Sequence, residues 1–258
     1  MGSMAKHIVA EEGAAGLLTG FGPTAVGYLI QGGAKFAGFE YFKKTFAQMA
    51  GSQADAEKYR TAIYIGGASA AELVASTLLT PLEAARIRLV SSKGYANGLV
   101  GAVGRMAKEG GLGEFYAGYA PLLCKQIPYA IGQFTTMEML SDLGYTKRFK
   151  AKGKTSEIAV DLGNGMLAGA AAAVLSHPAD TLLSKINKGG GGKGGAMKKL
   201  LVLAKETGPV GIWAGLGTRV VMTAFLISGQ FAIYGQIKAA VGAPAGVNIA
   251  KVDVKKES

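Results

Sequence analysis

The sequence predicts an all-α membrane protein, a bundle of repeats of about 100 residues with five membrane-spanning helices. Three observations predict it. Charged residues are only 17% of the 258 and hydrophobic residues reach 49%, whereas a soluble domain carries about 25% charged residues. Five apolar stretches exceed the ~20 residues needed to cross a ~30 Å hydrocarbon core. Landmarks also recur at one interval, the mark of a repeat architecture. Glu11, Glu109 and Glu206 each stand one or two residues before a glycine and lie 98 and 97 residues apart, and Pro81 to Pro178 is again 97. A soluble helical bundle predicts isolated charges on outward faces but not this repeat.

Taken in order, residues 17–42 are the first apolar stretch, uncharged as far as Ala34 and rich in glycine. The forty glycines of the chain are about twice the usual ~7% share and suit close helix packing in a bilayer. Residues 43–60 read as a short polar connection. Residues 61–89 form the second span, kinked near Pro81, whose ring removes a backbone donor. Residues 90–114 are a longer connection with an amphipathic piece. The third span, 115–141, carries Lys125, and a short charged connection, 142–157, follows. The fourth, 158–186, carries Asp161 and Asp180 and a second kink at Pro178. Residues 187–210 are the second long connection, and 211–239 the fifth span, uncharged from Val220 to Ile237. The repeat divides the chain into a half unit (1–50), two whole units (51–150 and 151–240) and a polar tail (241–258).

Composition excludes several functions. One cysteine, Cys124, and two histidines, His7 and His177, leave no disulfide framework and no Cys/His zinc site. No metal, no cofactor and no enzyme activity are expected. The net charge of +11 points to an anionic membrane surface and anionic solutes rather than nucleic acid, because the cations lie between apolar segments. Lys188 to Gly195 is not a phosphate-cradling loop, since Asn187 stands at its first glycine position and Gly194 where Ser or Thr is needed. His177 has no Cys or His neighbour and reads as structural or proton-handling. Glu83 and Arg86 share a helix face just after Pro81, and the pattern returns at Pro178-Ala179-Asp180. Charge at a kink inside a membrane span is costly and points to function.

Pro-x-Asp/Glu-x-x-Lys/Arg closing one helix and Glu-Gly opening the next, in repeats of about 100 residues, resemble the mitochondrial carrier family. The segments Pro81 to Arg88, Gly94-Tyr95-Ala96-Asn97, Ala120-Pro121-Leu122-Leu123, Gln126-Ile127-Pro128-Tyr129 and Ser176 to Asp180 resemble its phosphate carriers. Gly27-Tyr28, Gln31-Gly32 and Lys35-Phe36 fit as well, and the resemblance covers nearly all of residues 10–240.

The resemblance implies a six-helix bundle in the mitochondrial inner membrane, multi-pass, that exchanges or co-transports phosphate with a proton. It implies a phosphate cavity at Gln31, Lys35, Glu72, Gln133, Arg219 and Gln230, with Lys35 and Arg219 as the cations. Matrix-side gating falls to Pro81, Glu83, Arg86, Pro178 and Asp180. The opposite mouth has Glu40, Lys43, Glu138 and Lys238, of which only a Glu138–Lys238 pair is expected to close. Cardiolipin is expected at Gly20, Gly94, Tyr95, Gly118 and Gly215. Five of the six helices are expected, with the first missing, so that Arg86 and Asp180 lack their partners and no matrix-side pair can close. Ser76 and Gln133 stand where phosphate carriers have an aspartate and a lysine. The sequence therefore favours a transport-degenerate accessory subunit of a respiratory or ATP-synthesising complex, bound to other inner-membrane subunits. The alternative is an active phosphate:proton symporter whose first helix is absent from the sequence in hand.

Overall fold

A computed structural model describes residues 21–92, 94–96, 98–142, 154–187, 194–240, 242 and 249. Among these it contains nine helices and no strand: α1 (Phe21–Met49), α2 (Gln53–Lys58), α3 (Arg60–Ser91), α4 (Gly98–Glu109), α5 (Gly111–Phe115), α6 (Tyr119–Asp142), α7 (Lys154–Asn187), α8 (Ala196–Gly211) and α9 (Leu216–Ala240). The five apolar stretches are α1, α3, α6, α7 and α9, of 29, 32, 24, 34 and 25 residues. Three of them, over Arg60–Leu89, Ala159–Ile186 and Leu216–Ile237, are long and apolar enough to cross a membrane. Large apolar side chains of α9 lie open on its surface, Phe225 at 66% and Ile233 at 63% exposure, as expected of a helix face bathed in lipid. The first helix runs on to Met49 rather than stopping at residue 42. The reason is Lys43, which points inward and is only 1% exposed; a polar residue there is part of the interior, not a helix end.

The chain forms two compact units, Met1–Ala34 with Val74–Tyr119 and Lys35–Leu73 with Ala120–Ser258. In the first, the amphipathic helix α4 buries Ala102 and Met106, one turn apart, against Ala85 of α3 and Phe115 of α5. An Arg88–Glu114 ion pair ties α3 to α5. Pro81 leaves the carbonyl of Thr77 without its helical donor. The Tyr116 hydroxyl takes its place, donating to that oxygen at 3.2 Å.

The second unit is centred on aromatic rings from three helices, with Phe36 and Phe39 of α1, Phe134 of α6 and Phe231 of α9 buried together. Helices α7 and α9 lie against each other along their length. Glycine permits it: a Cβ on Gly165 would sit 2.6 Å from Ser228 Cα, and one on Gly169 2.7 Å from Ala224 Cα. Helix α8 rests on α7 through Leu182, Leu200 and Leu203. It breaks at Gly208, whose φ of 68° is the left-handed conformation that glycine adopts without a Cβ clash.

Candidate functional site

The repeat interval brings equivalent residues of α1, α6 and α9 into layers. Lys35, Gln133 and Gln230 stand 98 and 97 residues apart. Lys35 is buried, and its Nζ lies 2.7 Å from Glu72 Oε2 of α3. The Tyr129 ring faces the same ammonium at 5.1 Å, an arrangement that stabilises a cation out of water. Gln133 Nε2 donates to Gln230 Oε1 at 3.2 Å. The Gln133 Oε1 is buried with no hydrogen-bond partner among the described residues. Gln31 is buried in the first unit, 5% exposed, and so is Ser76, whose carbonyl accepts the Thr80 hydroxyl.

The next residue in each helix makes the next layer, Phe36, Phe134 and Phe231. Their centroids are 5.2, 5.5 and 6.4 Å apart and their planes cross at 82°, 84° and 85°. Each pair is edge to face, the arrangement that the ring quadrupole favours. Phe39 stacks on Phe134 at 4.4 Å and Tyr234 on Phe36 at 4.3 Å. The same 98- and 97-residue spacings applied from Phe36 would have found this layer in the sequence.

One turn further, Lys43 Nζ meets Glu138 Oε1 at 2.6 Å and Glu40 Oε2 at 3.3 Å. The expectation that only Glu138 and Lys238 would pair at this mouth is therefore corrected: Lys43 of α1 reaches Glu138 of α6. Lys238 stands on α9, and its side chain lies outside the described residues.

Beside Pro81 and Pro178 the expectation of partnerless charges is also corrected. Arg86 pairs along its own helix with Glu83 at 3.0 Å. Asp180 pairs with Lys125 of α6 at 3.1 Å and with Arg219 of α9. Pairing by family rule had assigned Asp180 elsewhere, but the long side chains of Lys125 and Arg219 reach it. Arg219 is thereby committed to Asp180 as Lys35 is to Glu72, so neither expected phosphate cation is free of a carboxylate. Pro178 lies inside α7, as Pro81 lies inside α3.

Of the expected lipid positions, Gly20 lies outside the described residues. Gly118 immediately precedes α6 and Gly215, with φ of 86°, precedes α9. Gly94 turns with φ of 74°, and Tyr95 is held by its neighbours. The Tyr95 hydroxyl donates to Glu109 at 2.7 Å, its carbonyl accepts from Arg105, and the Arg105 guanidinium lies 4.4 Å from its ring. The hydrogen bond from Arg105, with that from Tyr95, holds the Glu109 carboxyl below its ordinary range.

Comparison with known proteins bears on this geometry. The family model described as mitochondrial carrier protein matches residues 1–50, 57–148 and 154–243. The chain is 41% identical over 242 residues to mitochondrial substrate carrier family protein N of Dictyostelium discoideum, covering 91% of this chain and 80% of that one. It is 38% identical over 247 residues to a probable mitochondrial phosphate carrier protein of Schizosaccharomyces pombe, covering 93% and 78%. With solute carrier family 25 member 3 of Bos taurus it shares 38% over 232 residues, 88% of this chain and 62% of that protein.

Proposed function

Because this chain belongs to the mitochondrial carrier family, a multi-pass protein of the mitochondrial inner membrane similar to the phosphate carriers, we propose that it moves phosphate-class anions across that membrane. The buried Lys35–Glu72 pair is the observation that carries the reading. A lysine within a lipid-embedded bundle is held there at a cost unless an anion neutralises it. Glu72 does so in the resting protein. An incoming oxyanion competes with Glu72 for the same ammonium, so the cation exchanges one negative partner for another and is never left bare. The amides of Gln133 and Gln230 add hydrogen-bond capacity without charge. The Lys43–Glu138 pair on one side and the Asp180–Lys125–Arg219 cluster on the other act as latches that break and re-form. Cardiolipin at Gly118 and Gly215, and at Gly20, Gly94 and Tyr95, would steady the helix starts through backbone N–H groups.

The competing reading is a transport-degenerate accessory subunit, favoured by Gln133, a neutral amide at the repeat position of Lys35. One of its supports falls away, since charges at both ends find partners within the chain. Phosphate uptake by the purified protein in proteoliposomes separates the two. Transport predicts saturable uptake that falls at least about tenfold in Lys35→Gln, the loss of ~1.4 kcal/mol or more. The exposed Lys58→Gln serves as the unchanged control. Absence of uptake by the unaltered chain, with co-purification of a respiratory or ATP-synthesising complex, would turn the assignment to the accessory role.

A further inference from the structure

The repeat leaves one carboxylate position at the mouth of the second unit without a carboxylate. Glu40 of α1 and Glu138 of α6 are equivalent, 98 residues apart, and the next step of 97 falls on Gly235 of α9. The residues three further on are Lys43, Ser141 and Lys238. Two lysines and two carboxylates therefore remain in this layer, and both carboxylates meet Lys43, at 3.3 and 2.6 Å. By the repeat alone the mouth has no third acid.

A third acid nevertheless stands at that place, on a different helix. Helices α7 and α9 run antiparallel, with Gly169 beside Ala224 and Gly165 beside Ser228. The Ser228 hydroxyl donates to the Leu162 carbonyl at 2.8 Å. The next turn of α7 brings Asp161 to Gly235. A Cβ on Gly235 would meet one atom across this interface, Asp161 Oδ2 at 3.6 Å. That is ordinary van der Waals distance, so the Asp161 carboxylate occupies the space into which a side chain at position 235 would point. Asp161 belongs to the apolar segment Ala159–Ile186, where an acid is costly and is kept for a partner or a function. On α9, the residue three past Gly235 shares its face, and that residue is Lys238.

We propose that Asp161 supplies the carboxylate that the repeat omits from α9, and that it pairs with Lys238 as a second ion pair at the mouth held by Lys43 and Glu138. The charge keeps its place in space while its backbone anchor moves from α9 to α7. Asp161 is then a positioning residue, which ties the end of α9 to α7 and does not touch the transported ion. The pair's role as a latch rests on the transport reading; the pair itself does not.

The test moves the carboxylate back. In the purified full chain in detergent, Asp161→Asn should lower the melting temperature by about 2–8 °C. Gly235→Asp should also lower it, because it sets two carboxylates side by side. The two changes together should melt close to the unaltered chain, because one carboxylate again faces Lys238. Lys238→Met should lower the melting temperature of the unaltered chain and leave that of Asp161→Asn nearly unchanged. Should Asp161→Asn fail to fold, Gly235→Asn set against Gly235→Asp isolates the charge, since only the carboxylate repels Asp161; equal melting of those two overturns the proposal. A double variant that loses as much as the two single changes added overturns it as well. So does the same rescue of Gly235→Asp by Glu157→Gln, one turn earlier on α7. Phosphate uptake in proteoliposomes is read separately, and should fall severalfold in Asp161→Asn and return in the double variant. Rescue of melting without any uptake keeps the ion pair and dismisses the transport reading. Uptake without rescue keeps transport and removes Asp161 from the mouth.

Discussion

Replacing Glu72 by Gln should be among the most destabilising single changes in the second unit. The magnitude follows from the pair. At 2.7 Å and an effective dielectric of about 20, Coulomb attraction is on the order of 6 kcal/mol. Desolvating two ions costs several kcal/mol each, so the intact pair comes close to breaking even. Removing one partner destroys the attraction and leaves Lys35 buried with its charge, a loss of about 3–5 kcal/mol. For a chain of this size ~1 kcal/mol is worth ~2–4 °C, so Glu72→Gln should lower the melting temperature by roughly 6–20 °C. Lys35→Met combined with Glu72→Leu removes both charges and should recover most of that loss. Far-ultraviolet circular dichroism of the purified chain in detergent reads both variants. If the double variant melts as low as the single, the pair acts through packing and the electrostatic argument is wrong. An unchanged single variant would mean that water reaches the pair.

Other expectations are as specific. Gly169→Ala and Gly165→Ala each force a methyl within 2.7 Å of the facing backbone and should cost about 1–3 kcal/mol or more; Gly163→Ala, with nothing within 4 Å, should be neutral or stabilising, as thermal unfolding will show. Phe134→Ala removes the ring that Phe36, Phe39 and Phe231 all pack against and should cost about 3–5 kcal/mol, read in the same assay. Glu109 is held below its ordinary titration range by Arg105. Its contribution is therefore present above the unfolded value and lost as pH falls through the depressed one. Acidification into that range should speed amide exchange over residues 94–109, and Glu109→Gln should do so near neutral pH (~7); exchange indifferent to both would dismiss the Tyr95 clamp.

The helices were legible because burial in lipid demands long apolar runs, and α3, α7 and α9 show them plainly. Both prolines, Pro81 and Pro178, lie within the helices the sequence assigned them to. Family membership was legible from the repeat interval and the blocks around Pro81 and Pro178. The ion pairs were not. Which acid meets which cation depends on the direction of each side chain within a turn and on the reach of lysine and arginine, neither of which spacing specifies. Lys43 illustrates this: the sequence placed it at one mouth beside Glu40 with only Glu138 and Lys238 expected to pair there, whereas the fold brings it to Glu138. Asp180 illustrates it again, with Lys125 and Arg219 arriving from helices far away in sequence.

The Phe36, Phe134 and Phe231 rings stand like three faces meeting at the corner of a cube. Each ring meets the other two edge to face, so displacing any one of them spoils two contacts at once. A partial opening keeps one contact and loses two, which makes half-open arrangements poor in energy compared with either extreme. Rings packed this way do not part by degrees, since any helix movement that displaces one of them breaks its contacts with both of the others.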